Sequence, residues 1–466
     1  MALLSTLIPA ATMHAGDPGI SPTKPAKNSR LSLAANWPFD VRRLPFYYGW
    51  VILLMSTLGF LLSIPGQTMG MGVFTEHFVQ AFDLTRVELS FAYLLGTATS
   101  AMLLTRAGRL YDRVGARLII AGASLGLGVF VAFLSGIDYV AAFLTRIGPG
   151  EQVASGISFA LITLGYFGVR FTGQGVLTSA SRNVLLLWFE RRRGLVSGIR
   201  SLFVALGFSI APLMLALLID GLTWRGALLS MAAVLGIGFP LLALTFIRNN
   251  PQECGLRTDG AHAEPEGSSI EAPSVTLAVA RANPVFWIYT AGIAVHALFG
   301  TALTFHVVDV FAEANRSATE AFAYFIPAAI ISTSVNFLGS ALADHMALKA
   351  LLIAMLGGFI CGAWGMLHLA SDWGYWLLVA GFGLGGGLWG VLSNLAFIRF
   401  FGPRHLGEIS GLNTSVTVLA SAIGPFLFSF SRDYTGSYAA AQTACLIALV
   451  GLLVLSIAIP QKEAAR

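Results

Sequence analysis

Apolar residues run along this chain in stretches of about 20, the length that crosses a hydrocarbon core as a helix, separated by short polar turns. Such windows fall near 48–72, 88–107, 118–137, 157–188, 195–219 and 225–247. A second set falls near 285–308, 320–343, 350–369, 374–399, 409–430 and 437–459. The pattern predicts an all-α membrane protein with 12 transmembrane helices in two six-helix bundles, residues 46–247 and 283–460. Between them, residues 248–282 carry Asn249, Pro251, Asp259, Glu264, Pro265, Glu266 and Pro273, a polar mixture expected to form a cytoplasmic linker with no core of its own. Residues 1–45, with six prolines, read as a disordered cytoplasmic tail, and 461–466 as a second one. The apolar start is too short and wrongly flanked for a cleavable signal.

Composition narrows the class further. With 56% hydrophobic and 11% charged residues and a mean hydropathy of +0.75, the chain is excluded from ordinary soluble folds, whose charged share is about a quarter. The 51 glycines suit helices that approach closely through small residues, in a lipid bilayer. Cys254, Cys361 and Cys445 lack metal spacing, so neither a disulfide framework, a zinc site nor a cofactor is expected. Arg42, Arg43, Arg106, Arg109, Arg113, Arg117, Arg191, Arg192, Arg193, Arg248, Lys349 and Arg404 fall on one side of the predicted topology. Only Arg86, Arg146, Arg225, Arg316 and Arg432 fall on the other, which places both termini in the cytoplasm. The net charge of +5 reflects this bias, and no nucleic-acid partner is expected.

The two halves are degenerate copies of one another. Asp344 and Lys349 in SALADHMALK repeat the separation of Asp112 and Arg117 in GRLYDRVGAR. Asn183 through Ser197-Gly198 likewise parallels Asn394 through Ser410-Gly411. Asp112 to Asn183 is 71 residues and Asp344 to Asn394 is 50, so the first half holds 21 more, assigned to an enlarged outer loop at 138–155. Within it, Ala141 to Leu144 are expected on the bilayer surface.

The turn GRLYDRVGAR resembles the loop signature of the major facilitator superfamily, with Gly108, Asp112, Arg113, Gly115 and Arg117 each on a signature position. The resemblance implies secondary transport by alternating access, with substrate held between the halves near mid-membrane. It also implies that Asp112 meets the positive end of a neighbouring helix and holds the inner side shut, with Asp344 and Lys349 as second-half counterparts. FYYGWVILL, WFERRRGLVSG, DGLTWR and NNPQECGLRTDG further resemble the bacterial oxalate/formate and monocarboxylate porter branch, over most of 45–460. That resemblance implies a mono- or dicarboxylate moved by proton symport or anion exchange across a bacterial inner membrane. The oxalate exchangers are associated with basic residues in spans eight and eleven, and 320–343 and 409–430 contain none.

Charges within a span are costly and are functional candidates by default. Arg182 precedes Arg191 by nine residues, about 13 Å of helix, and Arg200 follows Arg193 by seven, about 10 Å, so both reach toward mid-depth. Their guanidinium forks suit a small organic anion bearing a carboxylate. The alternatives are that Arg182 pairs with backbone carbonyls or a helix end, and that Arg200 runs back to the inner charge cluster. The repeat places Ser393 opposite Arg182 and Asn413 opposite Arg200, so neutral hydrogen-bonding groups, with Asn336, are the expected second-half contacts.

Arg170, in RFTGQG, resembles the superfamily's fourth-helix R-x-x-Q-G signature with one residue inserted. In relatives this arginine is linked to proton coupling or to structure, and its depth here suits a structural or outer-gate position. Gln174, a turn below, and Gln67, beside a Pro65-Gly66 break in span one, are candidate cavity residues. For proton coupling, His296 is the deepest titratable group, with His306 and Asp309 toward the outer end of span seven. Hydrogen-bonded packing is the alternative for His296. The glycine run 381–390 permits tight helix contact and is no phosphate loop. Drug efflux driven by protons is a competing transport reading, although no buried acid lies in spans one, two, four or five. A transporter-like ligand sensor is a reading of another class, and an enzyme is not expected. A monomer is expected.

Overall fold

The computed structural model describes residues 34, 36–82, 84, 86–147, 154–259 and 274–461, and among these it contains helices and no strand. Every apolar window falls on helix. Span one is Gly49–Leu61 followed by the short pieces Ile64–Gly66 and Thr68–Gly72, and spans two and three are Arg86–Val114 and Ala116–Ser135. Span four runs through Ala154–Val169, a wide turn at Arg170–Leu177, and Thr178–Trp188. Spans five and six lie within the helical stretch Arg193–Ala233, two helices that meet at the non-helical Thr223 (φ 66°), and span six continues through Val234–Gly238 and Phe239–Phe246. Spans seven to twelve are Pro284–Glu313, Phe325–Ala343, Leu348–Leu367, Asp372–Phe401, Leu406–Thr435 and Ala439–Ala458. Among the described residues nine stretches are long and apolar enough to cross a membrane.

Each half buries its own core. Phe74, Phe78, Leu127, Val184, Trp188 and Phe239 belong to the first, and Phe286, Phe299, Met355, Phe359, Leu392 and Phe428 to the second. Leu54, Met102, Ile330 and Ile447 remain exposed on the outside, as lipid-facing positions do. Across the boundary between the halves, Ala101, Leu104 and Val418 form a small apolar cluster, and Leu186 of span four packs into the core of the second half.

Three expectations change. The first part of the enlarged loop is a helix, Ile137–Ile147, with Tyr139, Phe143 and Leu144 exposed on one side and Asp138 paired with Arg225 on the other. The remainder of that loop, 148–153, lies outside the described residues. Part of the expected linker is docked instead of free: Asp259 accepts the backbone N–H groups of Glu190, Arg191 and Arg192, and Cys254 is buried. The turn of four unpaired amides before a helix attracts such a carboxylate. Part of the expected disordered tail is likewise packed, since Val41 is buried and the carbonyls of Ala34 and Trp37 accept from Arg117. Residues 1–33, 35, 260–273 and 462–466 lie outside the described residues.

Candidate functional site

Two helices that follow one another, Thr178–Trp188 and the start of Arg193–Ala233, carry Arg182 and Arg200 inward from the arginine-rich end. Arg200 is 3% exposed, with its guanidinium 5.2 Å from the centre of the Phe60 ring. Its Nη2 donates to Asn394 Oδ1 of span ten at 2.7 Å, while Nε and Nη1 are buried without an acceptor. Arg182 is half-buried, and its Nη2 is enclosed and also lacks an acceptor. The two arginines lie on successive helices, and among the described residues neither pairs with a carboxylate. Burying an unpaired charge costs several kcal/mol or more, so this geometry favours any anion that enters. Arg200 is held inside the bundle and does not run out to the charged end.

The expected second-half contacts make bonds within their own half. Ser393 Oγ donates to the carbonyl of Trp389, and Asn336 Nδ2 donates to that of Gly387 at 3.0 Å. Asn413 is buried with its Oδ1 unpaired. Their helices place them at the boundary, yet the bond to the arginines comes from Asn394, one residue beyond Ser393.

Arg170 is buried, whereas its depth along the sequence suggested an interface. Its Nη1 donates to the carbonyl of Gly66 at 3.1 Å and reaches Thr68 Oγ1 at 3.4 Å, and its guanidinium lies 5.0 Å from the Tyr93 ring centre. It therefore fastens span four to the break in span one, taking a carbonyl that the break frees. The inserted residue of RFTGQG is absorbed by the wide turn Arg170–Leu177. Gly66 packs there with no room for a side chain, a Cβ meeting Val169 O at 2.5 Å and Gly173 Cα at 2.7 Å. Gln174 lies in this turn, half-buried, and Gln67 Nε2 donates to Ser63 Oγ.

His296 is stacked at 4.4 Å on Phe359 and lies 5.0 Å from Trp389, with Nδ1 unpaired, inside the second half. His306 and Asp309 do not extend one regular face, because the helix departs from helical geometry at His306. His306 Nε2 meets Pro425 O at 3.1 Å, and Asp309 is exposed. Among the described residues no group of three or more His, Cys, Asp or Glu could hold a metal ion.

At the arginine-rich end the halves touch. Asp112 accepts from the amides of Gly407 and Glu408, both at 2.8 Å, and so caps span eleven. Asp344 accepts from Gly194 and Leu195 at 2.8 and 3.1 Å, capping span five in the repeat-related way, and pairs with Arg399 at 3.3 Å. Arg109 reaches Glu408 at 3.2 Å. Gly108 permits the crossing, since a Cβ there would lie 2.1 Å from the carbonyl oxygen of Gly407. Gly115 takes φ 94° at the turn between spans two and three. Three residues expected at the closure sit elsewhere. Arg113 is exposed, Arg117 binds the carbonyl of Leu244 and the segment before span one, and Lys349 binds the carbonyls of Ile457 and Ile459. Their charge serves the ends of helices within one half, where unpaired carbonyls attract cations.

Asn394, Phe60, Tyr93, Asp259 and the buried pair Asn183–Ser410 (3.0 Å) complete this picture and were absent from the sequence-derived candidates. For Asn394 and Asn183 a signal exists, because the internal repeat aligns them.

Known proteins resemble this chain in sequence or in fold. Human monocarboxylate transporter 6 is 30% identical over 202 residues, which cover 42% of this chain and 35% of that protein, so the match spans about a third of its length. An uncharacterized 38 kDa protein in the 23S RNA operon of Thermoproteus tenax is 26% identical over 416 residues, covering 88% of this chain and 93% of that one. The crystal structure of the Escherichia coli fucose:proton symporter superposes with a TM-score of 0.63 at 13% identity, covering 90% of this chain and 100% of that one, and so shares the fold. Residues 153–425 match the Major Facilitator Superfamily, and the chain belongs to that family of membrane transporters.

Proposed function

We propose that this transporter carries a small organic anion, a mono- or dicarboxylate, between Arg182 and Arg200 and the neutral second-half groups. One observation carries the reading: two guanidiniums on successive helices inside the bundle keep buried N–H groups with no acceptor and, among the described residues, no carboxylate partner. A carboxylate supplies both the charge and the acceptors in a planar grip. Similarity over 202 residues to human monocarboxylate transporter 6 supports the same class.

Exchange of one anion for another suits this site better than proton symport. Reorienting an empty carrier keeps both charges unpaired out of water, whereas a bound dicarboxylate neutralises both and a monocarboxylate one. His296, the deepest candidate for a proton, is stacked among aromatic rings of the second half. The arginine-rich end is assigned to the cytoplasm by its positive charge, in a bacterial inner membrane.

Thermal-shift titration of the purified protein with carboxylates, sugars and organic cations tests the class. Carboxylates are expected to stabilise the wild type and to lose most of that effect in Arg182→Gln. Stabilisation by sugars or cations alone, or undiminished carboxylate shifts in the variant, would reject the reading.

A further inference from the structure

One repeat-related pair is broken, and the break involves Arg200. The repeat aligns Asn183 with Asn394 and Ser197 with Ser410. On one side Asn183 Nδ2 donates to Ser410 Oγ at 3.0 Å, a buried neutral bond from span four to span eleven. Its mirror image would join Asn394 of span ten to Ser197 of span five. Instead Asn394 Oδ1 accepts from Arg200 Nη2 at 2.7 Å, one turn farther along span five, and Ser197 Oγ is buried without a partner.

The two cross-half bonds therefore differ in what can disturb them. A guanidinium offers a carboxylate two edges, Nε with Nη2 and Nη1 with Nη2; Nη2 has one hydrogen on each, so the bond to Asn394 takes one edge and leaves the other open. Arg200 Nε and Nη1 stand ready without acceptors. A carboxylate taking an edge competes with a neutral amide oxygen, and the charge-assisted bond is the stronger. Asn183 and Ser410 carry no charge and offer no such target.

Resting on the organic-anion reading of Arg200, we propose that Asn394 is the positioning residue that ties occupancy of the site to closure of the arginine-rich end. In the shut state an anion has only the edge that Asn394 leaves, and it takes the other by displacing Asn394. Once that end opens, Asn394 leaves with its own half and both edges are free. The anion thus binds the opened state better, which is the differential affinity a ligand needs to shift the equilibrium. The empty carrier is held by its own arginine, and the loaded one is released.

Spin labels at Arg191→Cys and Met346→Cys, both exposed at this end, report the gap in a background with Cys254, Cys361 and Cys445 replaced by serine. The probes are lactate and oxalate, measured by the inter-label distance distribution. With Asn394 present, the distances are expected to be short without probe and to gain a long component with it. Asn394→Ala is expected to show the long component without any probe. Asn394→Asp, which gives Arg200 a permanent carboxylate, is expected to stay short and to need at least tenfold more probe. Probe-free distances in Asn394→Ala identical to those of the parent would overturn the proposal. Should that variant fail to fold, an unaltered probe response in Asn394→Asp would overturn it as well. Long distances in Asn394→Ala, with no response of the parent to either probe, would uphold the latch and reject the organic-anion reading beneath it.

Discussion

Arg182 and Arg200 differ from the other buried arginines in what surrounds them. Arg170, Arg117 and Arg248 each give some of their N–H groups to carbonyls of broken or ending helices, although Arg170 Nε and Arg248 Nε and Nη2 are buried without an acceptor; Arg182 bonds to none, and Arg200 bonds only to the side chain of Asn394. Removing a charged hydrogen bond at a site built for it costs about 1.5–3 kcal/mol, or about ten- to a hundredfold in affinity. Arg182→Gln is therefore expected to weaken carboxylate binding by at least about tenfold in titration calorimetry while the thermal midpoint without ligand holds or rises, since an unpaired charge leaves the bundle. Arg170→Ala should do the opposite, lowering stability by about 2 kcal/mol through the freed Gly66 carbonyl, as read by thermal denaturation of the empty carrier. The place of Arg182 within a helix was legible because helical rise can be counted from the charged cluster. The partner of Arg200 was not, because Asn394 is brought to it by the way two halves meet, and spacing along one chain does not encode that.

At the scale of elements, length and apolarity announced each span, and the structure places helix on all of those windows. What escaped the pattern is local geometry. Spans five and six are separate helices that meet at the non-helical Thr223 with almost no loop between them, and the surplus residue of RFTGQG is taken up in a wide turn. Residues 137–147 looked like loop because their charge marks a polar segment, although their apolar positions share one exposed face of a helix. The close crossing of spans two and eleven rests on Gly108 and Gly407, where each added Cβ would run into the other helix's backbone within 2.1 to 2.4 Å. Gly108→Val is expected to hold the arginine-rich end apart. Alkylation of a cysteine placed at Gly411, whose backbone packs on Leu104, should then accelerate by tenfold or more, and an unchanged rate would show that the crossing does not close this end.

The whole molecule is two cored bundles that meet through small residues, capping carboxylates and the bonds from Asn394 and Ser410. The docked start of the linker belongs to this closed arrangement, and composition alone had marked it as free because caps such as Asp259 depend on which helix end lies nearby. Burial pushes the Cys254 thiol up to about 11, so iodoacetamide at pH 7.5 should leave it unmodified in the folded carrier. Asp259→Ala is expected to speed that modification, and an equal rate would detach Asp259 from the docking of this segment. The central claim, that paired guanidiniums hold an anionic cargo, is tested most directly by exchange in proteoliposomes. Vesicles loaded with unlabelled lactate or oxalate are predicted to take up the same labelled anion far faster than empty vesicles, with Arg182→Gln and Arg200→Gln abolishing the difference. Uptake of neither anion by the wild type, or equal exchange in both arginine variants, would contradict the account.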